Sequence, residues 1–255
     1  MNLCLDIGNS TVALGLFSGS KLMQRTKLDH GRRLNQEMVH TFLERSLGSR
    51  SVQRAAIVSV VPEYTEQAAQ AVQQLLNVTP AIITVQTFKG IKHAYRSPKK
   101  LGTDRLVNAY AAWRLYGAPA VAVDIGTAIT WDAVDRRGTY LGGAIAPGPG
   151  TMASALHQQT TQLPQLAAKR VAAGIGRDTD ECIRAGIYWG VVAMVRELAE
   201  RMKKQLGGKA RVIVTGGAGA LFMPDLKGMM LDGDLTLKGI NLALEEMKRK
   251  EQEER

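Results

Sequence analysis

Three aspartates stand where a chain can present a carboxylate to a ligand. Asp6 and Asp124 each close an apolar run and lead into the same spelling: Leu5-Asp6-Ile7-Gly8-Asn9-Ser10-Thr11 recurs as Val123-Asp124-Ile125-Gly126-Thr127-Ala128-Ile129. The glycine permits a tight two-residue turn and close backbone approach, and a hydroxyl follows at Ser10 and Thr127 to donate to phosphate. A carboxylate at such a tip repels phosphate, so its work there is to hold a metal ion or its water. The plainer alternative is two ordinary hairpins with an Asp-Ile-Gly turn; the repeat with its paired hydroxyls favours function. The third acid, Asp104, lies in Gly102-Thr103-Asp104-Arg105, directly after a loop and at the start of a helical pattern. A helix N-terminus favours anions, Gly102 lets backbone approach a ligand, and Asp104 beside Arg105 sets a base next to a cation. On spacing alone Asp104 also reads as a helix-terminal charge.

Other chemistries are excluded by what is missing. No GxxxxGK[ST] string occurs, no GxGxxG opens a helix after the first strand, and no GxSxG elbow is present. His30, His40, His93 and His157 lack metal-ligand spacing, and Cys4 and Cys182 form neither a disulfide framework nor a zinc pattern, so both read as buried free thiols of a reducing compartment.

The elements that carry these residues read as an α/β protein written twice. Leu3 to Asp6, Val12 to Phe17 and Leu22 to Leu28 form a strand meander, followed by a helix at Asn35 to Leu47, a strand at Ala55 to Val61 halted by Pro62, a helix at Glu63 to Leu76 and a strand at Ala81 to Val85. A helix over Leu106 to Tyr116 leads to the second half. There Val121 to Asp124, Thr130 to Val134 and Tyr140 to Ile145 repeat the meander, with a helix around Thr151 to Leu156. A long helix follows, capped by Asp178 or Thr179 and running to about residue 206, then a strand at Arg211 to Thr215 and a charged helix from about Ile240. Ala185, Gly186 and Gly190 on the long helix would let another backbone approach. Lys248 to Arg255 reads as a frayed tail. The expected domains are 1–116 and 117–255.

With 255 residues, 45% of them hydrophobic, the chain can bury a sizeable core. No apolar stretch approaches the roughly 20 residues of a membrane span, and no signal-peptide pattern precedes the first strand, so a cytoplasmic protein without membrane contact is expected. The net charge of +10 raises nucleic acid as a partner, but the basic residues are scattered, as at Arg25 to Lys27, Arg32-Arg33, Lys99-Lys100, Arg136-Arg137 and Lys203-Lys204. No basic stripe interleaved with aromatics occurs, which favours a solvated surface.

The chain resembles the type III pantothenate kinases of the acetate and sugar kinase, Hsp70 and actin superfamily. The resemblance runs nearly end to end through DIGNST at 6–11, SVVP at 59–62, Tyr95-Arg96-Ser97-Pro98 before GTDR at 102–105, DIGTAITWD at 124–132, YLGGAIAPG at 140–148, Leu163-Pro164, GRDT at 176–179 with AGIYWG after it, VTGGAG at 214–219 and DLTLKGI at 234–240. It implies two duplicated actin-like (ribonuclease H-like) α/β domains, with mixed five-stranded sheets, flanking helices and a nucleotide cleft between them. It further implies phosphorylation of pantothenate by ATP, the first step of coenzyme A biosynthesis.

By the same resemblance Asp6, Ile7, Gly8, Asn9, Ser10, Thr11, Val12 and Ala13 form the first phosphate loop, with Asp6 near the Mg2+ of ATP. Thr127 contacts the nucleotide, and Asp124 binds a monovalent cation, K+ or NH4+. Asp104 is the general base, Gly102, Thr103 and Arg105 line the pantothenate pocket, and Tyr95 and Thr179 contact pantothenate. Thr179 reaches in from a second subunit, which implies a homodimer with the active site at or near the interface. Thr103, Ser97 and Ala185 depart from the Ala, Asn and Ser usual in the family, and none removes a charge from the site. Two rival readings are a DNA-associated regulator that keeps the fold as scaffold, suggested by the net charge, and a phosphohydrolase that activates water.

Overall fold

The computed structural model describes residues 1–31 and 33–253, which leaves Arg32 of the basic pair and the last two residues outside the description. The chain divides into two compact units, Met1–Ala111 with the stretch from Leu235 onward, and Ala112–Asp234.

In the first unit β1 (Asn2–Ile7), β2 (Thr11–Ser18) and β3 (Lys21–Asp29) form an antiparallel meander. They are followed by α1 (Gln36–Leu47), β4 (Arg54–Ser59), α2 (Pro62–Leu76), β5 (Ala81–Ile82), the short β6 (Lys92–His93) and α3 (Thr103–Tyr116), which crosses the boundary at Ala111. The sheet order is β3-β2-β1-β4-β5, with β1 antiparallel to β2 and parallel to β4. A central strand must be apolar on both faces. Accordingly Leu3, Leu5 and Ile7 join Val39, Phe42 and Leu43 of α1 and Ala68, Ala71 and Val72 of α2 in one core, while Cys4 is fully buried on the other face. Asn35 starts α1 by accepting the N–H of Met38 at 2.8 Å, and Pro62 occupies the first turn of α2, where no N–H is needed.

The second unit repeats the plan with β7 (Ala120–Ile125), β8 (Ala128–Val134), β9 (Thr139–Pro147), α4 (Pro149–Gln159), α5 (Thr179–Gln205), β10 (Arg211–Thr215), the short α6 (Gly219–Phe222) and β11 (Met230–Leu231). Within this unit the order β9-β8-β7-β10-β11 matches that of the first, with the same parallel and antiparallel pairings. Val121, Val123, Ile125 and Trp131 pack on Tyr188, Val191, Val192 and Val195 of α5. Asp178 caps α5 by accepting the N–H of Glu181, and Glu181 in turn accepts that of Arg177, each at 2.8 Å.

Three expectations change. The last helix, α7 (Leu235–Glu253), follows the second half in sequence but packs on β1, β2 and β4 of the first unit, burying Leu237, Ile240, Ala243 and Leu244. It also continues to Glu253 where a frayed tail was expected, held by the pairs of Arg249 with Glu246 and Glu253. Cys182 is exposed rather than buried, because it sits on the open side of α5.

Candidate active site

Strand β1 delivers Asp6 to the sheet's end, opposite Ala13, and the next pair is Ile7 with Val12. Gly8, Asn9 and Ser10 make the connection, one residue longer than the two-residue turn expected, and it is closed by the Gly8 N–H to the Thr11 carbonyl at 2.9 Å. Asn9 is exposed and Gly8, Ser10 and Thr11 are half-buried. Ile7 and Val12 are fully buried in the core, so they can offer a nucleotide only backbone groups. The carbonyl of Ser10 accepts the N–H groups of His30 and Gly31, the first residues beyond β3, at 2.9 and 3.3 Å.

Also in the first unit, α3 opens with Thr103, Asp104 and Arg105, following Gly102. Asp104 keeps some exposed surface, but its carboxyl is largely withdrawn from water. That desolvation raises its pKa above the usual carboxylate value, opposed by the backbone N–H of Arg105, the Arg105 charge and its own backbone N–H. Thr103 and Arg105 are buried beside it, and Tyr95 lies half-buried in the loop upstream. A base with a raised pKa, fixed on a helix terminus next to a guanidinium, suits proton abstraction from a weakly acidic hydroxyl.

The second unit holds Asp124, Thr127 and Thr179. Asp124, the last residue but one of β7, lies beside Thr215 of β10, and Gly216, with φ of 89°, passes so close that a Cβ there would collide with the Asp124 carboxylate and the Ile125 backbone. Gly126 and Thr127 form a two-residue turn closed by the Gly126 N–H to the Ala128 carbonyl at 2.9 Å. The Thr127 carbonyl accepts the Gly148 N–H at 2.9 Å and the Thr151 hydroxyl at 2.6 Å. Thr179 is the first residue of α5 and lines a largely apolar cavity of about 1110 Å3 between α4 and α5, together with Thr151, Leu156, Arg177 and Ile187.

The repeated motif thus becomes one turn in each unit, of three residues in the first and two in the second, with the proposed base in the first unit and Thr179 in the second. The sequence reading gave no roles to His30, Gly148, Thr151 or Gly216. The strings YLGGAIAPG and VTGGAG marked two of these places, but their job is to hold neighbouring backbone, which residue type alone does not reveal.

The profile of the type III pantothenate kinases matches residues 2–201. The type III pantothenate kinase of Moorella thermoacetica is 35% identical over 255 residues, covering 96% of this chain and 99% of that protein. Among solved structures, one described as a Baf family transcriptional activator from Campylobacter jejuni superposes with a TM-score of 0.62 at 20% identity, covering 97% of this chain and 99% of that one. The activator of 2-hydroxyisocaproyl-CoA dehydratase from Clostridium difficile, with bound ADPNP, gives 0.56 at 12% identity, covering 99% and 97%. These structural likenesses bear on the fold, which is that of the actin-like ATPases. On its sequence, the chain belongs to the type III pantothenate kinase family.

Proposed function

We propose that Asp104 is the general base with which this enzyme phosphorylates pantothenate at the expense of ATP, opening coenzyme A biosynthesis. The observation that carries the reading is the Asp104 carboxyl itself, out of water on a helix terminus, with Gly102 leaving room above it and Arg105 beside it. As the pantothenate hydroxyl oxygen bonds to the γ-phosphorus, its proton passes to Asp104. The bond from γ-phosphorus to the bridging oxygen breaks, and ADP leaves. Such a transfer needs alignment and charge neutralisation more than covalent help.

Asp6 with Gly8 to Thr11, and Thr127 with its turn, are assigned to the phosphates of ATP, the backbone of Ile7, Val12 and Ala13 completing the first loop. Gly102, Thr103, Arg105, Tyr95 and Thr179 are assigned to pantothenate. Asp6 is the carboxylate proposed to hold Mg2+ together with phosphate oxygens and water. Magnesium supplies neutralisation of phosphate charge when bound. The carboxylate of Asp124, cradled by Gly216, has the hard oxygen chemistry a K+ or NH4+ ion takes.

A second copy of this chain is the proposed cover of the apolar cavity beside Thr179. Leu156 lines the cavity, and Ile175, next to its lining residue Gly176, is 85% exposed. The cytoplasm is the proposed compartment, supported by two free cysteines. Among the described residues no helix is long and apolar enough to cross a membrane. A DNA-associated regulator is not favoured, since the family assignment rests on sequence and the Baf-described structure bears on fold alone. The test is ADP formation with and without pantothenate, with potassium exchanged for sodium. Pantothenate-dependent, potassium-stimulated release is expected, whereas equal release without the alcohol would point to a phosphohydrolase.

A further inference from the structure

The two phosphate turns are held from behind in the same way. In the first unit the residue leaving the third strand, His30, donates its N–H to the Ser10 carbonyl; in the second the residue leaving the third strand, Gly148, donates its N–H to the Thr127 carbonyl, both at 2.9 Å. Ser10 and Thr127 are the hydroxyl residues of their turns. Each clamp takes a second donor, the Gly31 N–H at 3.3 Å in the first unit and the Thr151 hydroxyl at 2.6 Å in the second. Gly148 packs so tightly that a Cβ there would overlap the carbonyl oxygens of Gly126 and Thr127.

Binding a carbonyl from behind fixes the peptide plane that follows it. For Thr127 that plane carries the Ala128 N–H, which the trans peptide turns away from the clamping donors. Only one of the four clamping donors is a side chain. From this geometry we infer that Thr151 is a positioning residue for nucleotide phosphate: its hydroxyl holds Thr127 in the orientation that receives ATP, and it acts through Thr127 rather than by touching substrate.

This rests on the reading of Gly126–Thr127 as a phosphate turn, and the test separates it from the identity of the acceptor alcohol. Binding of the ATP analogue AMPPNP with Mg2+ is measured by calorimetry on the full chain for wild type, Thr151→Val and Thr151→Ser, beside KM for ATP and for pantothenate. Valine keeps the shape and deletes the donor. Its AMPPNP Kd and its KM for ATP should each rise about three- to ten-fold, the weight of one hydrogen bond, while KM for pantothenate, whose proposed contact Thr179 lines the same cavity as Thr151, rises less. Serine keeps the hydroxyl and should restore wild-type binding. An unchanged Kd in Thr151→Val, equal losses toward both substrates, or failure of serine to rescue would overturn the assignment. So would wild type that does not bind AMPPNP. Should the valine variant fail to fold, Thr151→Ala is measured against Thr151→Ser in its place and must show the same loss. Wild type that binds AMPPNP but makes no pantothenate-dependent ADP would instead fault the kinase reading and leave the clamp to be judged on Kd.

Discussion

The carboxylate of Asp104 bends back over Gly102, so that a Cβ at residue 102 would lie 2.5 Å from its Oδ1. Glycine is therefore needed here for space, since nothing in the backbone at this position demands a positive φ. In Gly102→Ala the added methyl must displace the carboxylate. A base moved by about 1 Å commonly costs on the order of a hundred-fold. Turnover should fall by that order, with the thermal midpoint little changed. Steady-state kinetics beside a melting curve checks this, and wild-type turnover would mean that the carboxylate position is irrelevant to chemistry.

The raised pKa of Asp104 has two consequences of opposite sign for activity and stability. As a base Asp104 must be ionised, so kcat/KM should climb with pH through a limb lying above the ordinary carboxylate range. For stability, the native state holds the proton more tightly than the unfolded chain. The resulting stabilisation is present below the unfolded-state pKa and is lost as pH rises through the raised native value. At neutral pH the ionised carboxyl thus bears its desolvation as a cost. Asp104→Asn should lose about 100- to 10,000-fold in turnover while remaining at least as stable as wild type at pH 7, an advantage that shrinks in acid. Urea denaturation at several pH values tests the second half; a variant clearly less stable at neutral pH would show that the backbone bonds to the carboxylate outweigh its burial.

What could be seen in the sequence was what repeats or alternates. The Asp-Ile-Gly turns, the apolar alternation of the meanders and the Asp178 cap are local patterns, and each lies within a few residues of its predicted place. The extra residue in the first turn leaves no trace in the sequence, because the two motifs share their spelling up to glycine and only pairing of Ile7 with Val12 and Ile125 with Ile129 sets their lengths. The return of α7 to the first unit was invisible, since an amphipathic stripe says that a face is buried and not against what. Thr151 and Gly148 carry no sequence signal for a related reason: both contact the carbonyl oxygen of Thr127, more than twenty residues away, and every residue has a carbonyl. The roles given to Asp6, Asp104 and Asp124 came from resemblance, and burial and backbone geometry around Asp104 and Asp124 supply the physical argument for testing them.

The packing of α7 yields a test that involves no chemistry. A Cβ on Gly239 would stand 2.7 Å from the Val107 carbonyl oxygen and 3.1 Å from the Ala111 Cβ, both on α3 within the first unit. Alanine favours a helix over glycine by about 1 kcal/mol, but overpacking against a backbone atom that cannot rotate away costs about 1–3 kcal/mol. The clash should win. Gly239→Ala is expected to lower the urea midpoint without a change in KM for either substrate, and a rise in midpoint would show that α7 has room to shift.

The proposed second copy can be tested by sharing a site between two crippled chains. If Thr179 of one copy completes the pantothenate pocket of the other, an Asp104→Asn chain still carries an intact Thr179, and a Thr179→Ala chain still carries an intact base. Each variant alone should be slow at low pantothenate. Mixed in equal amounts and allowed to exchange, half of the dimers would pair unlike chains, and each of these would regain one good site of its two. Activity should therefore recover to about a quarter of the wild-type value, as two-fold symmetry requires. Ile175→Asp provides the control, because a charge on that exposed apolar side chain should weaken self-association and abolish the recovery, with a lower mass in sedimentation. Simple addition of the two residual activities, or a wild-type chain that sediments as a monomer while fully active, would place Thr179 in its own chain's pocket or outside the reaction altogether.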